Sequence, residues 1–244
     1  MSPRLFPAHS AVLRRSFRSL VYSDSRWLVS LWRDIFRCCD TKPPVNISTV
    51  GEEQKKPPVL QLGDLRLRPL RANDAPAMLD YLSDPGVIEH TSIPIVTPES
   101  VEAAVARDIA AYHQGSSFRL AVTLSDDRMI GVCGFNSWSP VHRHAELAYE
   151  LAPDYWGRGY MRVAVLMLLR WGFSELKLNR VQAFVMTTNA RSIQLLERCG
   201  FTREGTLRQY RMARGHPKDF HVFALLAQDF AHNQEGEELR PGID

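Results

Sequence analysis

A mixed α+β domain, with a mostly antiparallel β-sheet carrying helices on both faces, is the fold class that three features of this chain predict. Three strand-like stretches follow one another between Phe118 and Leu151, which reads as a meander. Helix-period segments stand before and after them, so helices reach the sheet from more than one side. The segment Met161 to Phe173 is apolar almost all round, as expected of a helix wedged between a sheet and other elements. With 244 residues, 45% of them hydrophobic and 23% charged, the chain suits one sizeable core plus an appendage.

The appendage is residues 1-58. Residues 1-22 hold Arg4, Arg14, Arg15 and Arg18 and no acidic residue, the composition of a targeting leader or of a mis-assigned start. Trp27, Leu28, Leu31, Trp32, Ile35 and Phe36 recur at helical spacing, predicting an amphipathic helix over 24-39 that packs on the domain or makes a peripheral membrane or partner contact. Pro43, Pro44, Pro57 and Pro58 mark a flexible linker over 40-58.

The domain proper is expected over 59-232. Leu62, Leu65 and Leu67, before Pro69, read as one short strand. Asn73 or Asp74 caps a helix running to about Leu82, which Asp84-Pro85-Gly86 stops. Thr97-Pro98-Glu99 opens a second helix, to about His113, with a capping hydroxyl, proline in the first turn and an acid at the positive dipole end. Strands Phe118 to Leu124, Met129 to Trp138 and Ala145 to Leu151 are separated by Ser125-Asp126-Asp127 and by the turn Pro140 to Arg143. After the apolar helix come strand Val181 to Met186, helix Ala190 to Cys199 and strands Phe201 to Met212 and His216 to Ala227. Residues 233-244 form an acidic, fraying tail.

Charge and cysteine content narrow the function classes. Residues 1-58 carry 10 basic and 5 acidic side chains, and 59-244 carry 20 and 22, so the body has no footprint for nucleic acid. Cys38, Cys39, Cys133 and Cys199 have no zinc or disulfide spacing and suit a reducing, cytoplasmic setting. His142 and His144, two apart in a turn, read as solvated, and no metal is expected. The longest apolar run, Val163 to Leu169, is far short of the ~18 residues a membrane span needs.

The richest stretch is Glu150-Leu151-Ala152-Pro153-Asp154-Tyr155-Trp156-Gly157-Arg158-Gly159-Tyr160-Met161, where a strand ends and a Gly-x-Gly turn opens into the apolar helix. A helix's first turn leaves backbone N-H groups unpaired, and its dipole favours an anion there. Glycine at 157 and 159 lets the main chain approach phosphate oxygens, and Arg158 adds a charge. The Gly-x-Gly-x-x-Gly and Gly-Lys-Ser/Thr patterns of dinucleotide and nucleotide-hydrolase folds are missing. Further on, Asn189 caps a helix that holds Ser192 and ends at Gly200-Phe201.

Together, in this order and spacing, the two stretches resemble the GNAT superfamily of acetyl-CoA-dependent N-acetyltransferases, in particular its ribosomal-protein alanine N-acetyltransferase-like branch. The resemblance runs from about Leu65 to Ala227 and implies the GNAT acyl-CoA N-acyltransferase fold, with acetyl-CoA as cosubstrate. It implies that Trp156, Gly157, Arg158, Gly159, Tyr160 and Met161 cradle the pyrophosphate. The strand Tyr149 to Leu151 would pair with the pantetheine arm, and Asn189 would touch the cofactor. Trp156 and Met161 depart from the usual Gln or Arg and the usual small residue.

Acetyl transfer needs a neutral amine, a polarised thioester and a proton for the leaving thiolate. Glu146 and Glu150, four apart on one strand, can look into one cleft as candidate bases. Glu146 resembles the strand glutamate of histone-type members, and Phe184 stands where some relatives carry a glutamate on the next strand. Ser192 resembles the serine proposed as acid in the ribosomal branch, and equally serves as a second cap residue. Tyr149 and Tyr210 are further phenols that read as core packing. The N-H of Leu151 can polarise the thioester oxygen. The reading is therefore transfer from acetyl-CoA to a primary amine in a ternary complex, the acceptor being a protein N-terminus. A small-molecule polyamine or antibiotic acetyltransferase and a non-catalytic acyl-CoA-binding module are the alternatives, as monomer or homodimer. Acceptor identity rests on the loops Val87 to Val96 and Arg208 to Lys218, where Arg208, Arg211 and Arg214 suit an acidic acceptor or a solvated hairpin.

Overall fold

The structure, a computed structural model, describes residues 59–91 and 96–238. The leader, amphipathic helix and linker expected over 1-58 lie outside the described residues, as do 92-95 of the first acceptor loop and 239-244 of the tail.

Eight strands form one sheet: β1 (Leu60–Leu62), β2 (Leu65–Pro69), β3 (Phe118–Thr123), β4 (Met129–Ser139), β5 (His144–Leu151), β6 (Arg180–Met186), β7 (Thr202–Ala213) and β8 (His216–Leu226). Their spatial order is β1-β2-β3-β4-β5-β6-β8-β7. Every pairing is antiparallel except β5 with β6. The helices are α1 (Ala75–Leu82), α2 (Pro85–Ile88), α3 (Pro98–Gln114), α4 (Tyr160–Ser174), α5 (Ala190–Arg198) and α6 (Ala227–Glu238).

Strand alternation builds a core on each face. Leu120 and Val122 of β3 enter one layer with Val165, Leu168 and Leu169 of α4, whereas Ala121 between them enters the other with Met78 of α1 and Val105 of α3. Helix α3 starts as the sequence requires: Thr97 and Ser100 cap each other's backbone N-H groups, and Gly115 ends the helix at φ 68.

Three local expectations are corrected and one, the stop at Asp84-Pro85-Gly86, holds with a further role added. The single first strand is a hairpin, because Gly63, at φ 56, turns β1 back onto β2. Asp74 precedes α1 without capping it; its carboxylate accepts from the Arg71 N-H and pairs with buried Arg68. Asp84-Pro85-Gly86 does not merely stop α1, since Asp84 accepts from the Gly86 N-H at 2.8 Å and caps α2. Past β8 the chain forms α6 into the stretch expected as tail, anchored where Phe230 packs on Phe173 at 5.1 Å between ring centres.

Candidate active site

The site is set by a parting of strands. Parallel pairing of β5 with β6 covers only His144 with Arg180, Ala145 with Val181 and Glu146 with Gln182. Beyond that, β5 stays on β4 as far as Leu151 while β6 follows β8 as far as Met186, so a wedge opens between them. The Ala152 N-H donates to Ile130 at 2.8 Å. By antiparallel alternation, the backbone polar groups of Tyr149 and Leu151 therefore face the wedge. One of them, the Leu151 carbonyl, accepts the Trp156 indole N-H at 2.8 Å.

Beside the wedge stands the glycine turn. Gly157 and Gly159 have φ of 72° and 80°, and a Cβ on either would meet no protein atom within 4 Å. Glycine is thus required by the left-handed backbone, and the space over the turn is open. Gly159 begins α4 with no side chain capping it, which leaves the first-turn N-H groups available to an anion. Arg158 is exposed with its guanidinium 5.7 Å from the Tyr155 ring, and the Tyr160 ring stands 6.1 Å from that of Tyr155. Trp156 lies beneath the Arg191 guanidinium at 4.3 Å, so its indole frames the turn. Met161 is buried in the core and stands in the first turn of α4 against the groove. The turn, Trp156, Tyr160 and Arg191 line a groove of about 400 Å³.

A second hollow, of about 540 Å³, lies on the other side of the wedge and is lined by Asp108, Arg119, Glu146, Phe184, Arg211 and Phe220 among others. Tyr149, Glu150, Asn189 and Ser192 line both hollows, so they meet where the strands part. The expectation that Glu146 and Glu150 share a cleft holds geometrically, yet each has its own guanidinium. Arg119 of β3 donates to Glu150 at 2.6 Å and lies 3.2 Å from Asp108, and it also reaches Asn136 at 3.3 Å. Arg211 of β7 donates to Glu146 at 3.2 Å. Burial pushes the Asp108 carboxyl above its ordinary range despite Arg119, and the negative charge of Glu150 adds to the shift. Burial likewise raises the phenols of Tyr81 and Tyr149.

Helix α5 brings its candidates to the same place. The Asn189 side chain accepts from the Ser192 N-H at 3.1 Å, as a cap does. The Tyr149 hydroxyl reaches the Ser192 carbonyl at 3.4 Å. Tyr210 is not a core residue: it is 43% exposed, on the hairpin of β7 and β8. Nor is that hairpin simply solvated, since Arg211 turns into the cavity and Arg214 donates to the carbonyls of Ile88 and Glu89.

Asp108, Arg119 and the position of Arg211 were not legible in sequence. Asp108 sits on a helix full of charge, and Arg119 is one polar residue in an apolar strand. An arginine in an otherwise apolar central strand demands carboxylates nearby, and that is the one signal by which they could have been found. Cys133 and Cys199 are free and buried, and burial pushes the Cys199 thiol up to about 11. His142 and His144 stack at 6.2 Å, and among the described residues no group of three or more His, Cys, Asp or Glu could hold a metal ion. No described helix is long and apolar enough to cross a membrane.

Comparison with known proteins gives the same picture. Residues 64–202 match the family model of the acetyltransferase (GNAT) domain. The chain is 35% identical over 170 residues to the uncharacterized N-acetyltransferase p20 of Bacillus licheniformis, covering 68% of this chain and 95% of that protein. It is 26% identical to the spermidine N(1)-acetyltransferase of Vibrio cholerae, over 50% of this chain and 71% of the other. With the [ribosomal protein uS5]-alanine N-acetyltransferase of Escherichia coli it shares 31% identity, over 49% of this chain and 62% of the other. The crystal structure of the ribosomal L7/L12 alpha-N-protein acetyltransferase RimL in complex with coenzyme A superposes with a TM-score of 0.64 at 20% identity, covering 69% of this chain and 98% of that one.

Proposed function

The chain belongs to the GNAT acetyltransferase family and transfers an acetyl group from acetyl-CoA to an amine, and on that premise we propose how its own residues serve the transfer and which amine it takes. The observation that carries the proposal is the parting of β5 from β6 directly beside the glycine turn, which joins a groove to a second cavity at one point. The diphosphate of acetyl-CoA lies on the amides of Gly157 to Met161, with Arg158 adjacent. Its pantetheine arm runs along the open edge of Tyr149 to Leu151, and Asn189 contacts it. The thioester oxygen then accepts from the Leu151 N-H, which faces the wedge.

In the transfer, the amine nitrogen bonds to the acetyl carbon, the C–S bond breaks, the amine gives up a proton and the thiolate gains one. Glu146 takes the first proton and Ser192 supplies the second. Glu150 is the lesser candidate because Arg119, itself braced by Asn136 and Asp108, holds it at 2.6 Å. Glu146 is held by a single longer bond from a partly exposed hairpin residue.

The acceptor class we assign is the N-terminal amine of a protein, in keeping with the resemblance to the relative that acetylates ribosomal protein uS5; a polyamine, in keeping with the spermidine-acetylating relative, is the second reading. The catalytic domain is taken as 59-232, acting in the cytoplasm as a monomer or homodimer. Calorimetry with acetyl-CoA beside a thiol-release assay on a panel of peptide N-termini and small amines is the test. Release of CoA with peptides carries the assignment. Release with polyamines alone turns it to the second reading, and binding without release over the whole panel makes the chain a non-catalytic acyl-CoA-binding module.

A further inference from the structure

Arg211 does more than pair with Glu146. Its guanidinium carbon lies 5.2 Å from the ring centre of Phe184, 5.1 Å from that of Tyr210 and 5.6 Å from that of Phe220. Tyr210 touches both of the other rings, Phe184 at 5.1 Å with planes 32° apart and Phe220 at 5.9 Å with planes 72° apart. The rings come from three strands, β6, β7 and β8; Phe184 and Phe220 line the larger cavity together with the Glu146 carboxylate, and Tyr210 packs on both rings. Negative ring faces beside a carboxylate are the chemistry that holds an organic cation.

The backbone is shaped to make this cluster. Leu207 pairs with Phe220 and Arg211 with Lys218, so 208-210 of β7 stand opposite Asp219 alone. Gln209 in that bulge is left-handed at φ 52, and its N-H donates to the Asp219 carboxylate at 2.7 Å. A bulge re-aims the side chain that follows it, here Arg211, which lines the cavity. A non-glycine residue in the left-handed region costs free energy, and Gln209 sits there in the bulge directly before Arg211. Yet Arg211 remains 35% exposed and Tyr210 43%, so the occupant of the box can leave it for solvent.

We propose that Phe184, Tyr210, Phe220 and Glu146 form a cation-binding box on the acceptor side of the wedge, in which Arg211 is a tethered occupant that an ammonium or guanidinium group of the acceptor displaces. The inference rests on reading the larger cavity as the acceptor site and deepens it: the acceptor arrives as a cation, and Glu146 exchanges Arg211 for the incoming group.

The probe is N-methylguanidinium chloride, the head group of an arginine side chain, titrated at constant ionic strength into the full chain and into Arg211→Ala, with heat as the readout. Emptying the box is expected to tighten binding at least tenfold over the parent chain, and adding Phe184→Leu to remove at least fivefold of that gain. Equal affinity in the parent chain and Arg211→Ala overturns the proposal, as does a gain that survives Phe184→Leu. Should Arg211→Ala fail to give a cooperative melt, Arg211→Gln, which keeps part of the side chain and removes its charge, takes its place under the same two criteria. Because this probe carries no nucleophilic amine, its binding is independent of turnover. Should Glu146 not be the base of the transfer, the box would still bind this probe, and loss of the box would leave acetyl-CoA binding intact.

Discussion

The Trp156 indole N-H donates to the Leu151 carbonyl at 2.8 Å, tying the glycine turn back onto the edge of the strand that precedes it. That bond satisfies one wedge-facing carbonyl and sets the turn beside the wedge. Trp156→Phe keeps the aromatic face for Arg191 and removes the donor, at a cost of about 1 kcal/mol for one lost hydrogen bond. We expect KM for acetyl-CoA to rise several-fold with kcat little changed. A fall in kcat at unchanged KM would mean that the indole serves the chemistry and not the cradle.

Gly157→Ala and Gly159→Ala separate backbone conformation from ligand approach. A left-handed alanine costs about 1–2 kcal/mol, roughly 2–8 °C in Tm at about 2–4 °C per kcal/mol for a domain of this size. No protein atom obstructs either added methyl, so both variants should fold. Their affinity for CoA, measured by calorimetry, should nevertheless fall at least tenfold. Unchanged affinity would remove the turn from the binding site.

Glu146→Gln and Glu150→Gln should differ in kind. Removing a general base typically costs 10²–10⁴ in rate, and we expect Glu146→Gln to lower kcat about 100-fold with Tm nearly unchanged. Glu150→Gln leaves Arg119, 18% exposed, with weaker compensation. Losing one partner of a largely buried pair costs about 3 kcal/mol, so the effect should appear in the melting curve. A reversal of the two results would transfer the base to Glu150.

Asp108 gives a pH signature. Its carboxyl is raised above the ordinary range by burial, so the folded state binds its proton more tightly than the unfolded chain, whose carboxyl titrates near about 3.9. Stability from this group is present below that value and is lost as pH rises through the raised one. Asp108→Asn should therefore melt higher than the parent chain at pH 7, and the advantage should vanish by pH 3. An equal difference at both pH values would assign the effect to packing.

Much of the fold was legible because its signals are short-range. The Thr97 cap, the Pro98 start and the Gly115 stop lie within one helix, and the alternation Leu120, Ala121, Val122 sorts itself between two faces. The glycine turn was legible for the same reason, since a left-handed backbone at 157 and 159 and uncapped N-H groups at 160 onward are local properties. The hairpin at Gly63 and helix α6 were missed because three residues of strand, or one anchoring Phe230, leave too little periodic pattern to read.

What the sequence determined by itself was the order of the longer elements, the open turn and the two carboxylates on one strand face, each set by a handful of neighbouring residues. Only the tertiary structure decided that β6 follows β8 away from β5, that Arg119 claims Glu150 across 31 residues, and that Arg211 claims Glu146 across 65. Those pairings are fixed by the register of distant strands and a bulge, through cooperative packing of both faces of the sheet, and no local spacing encodes them.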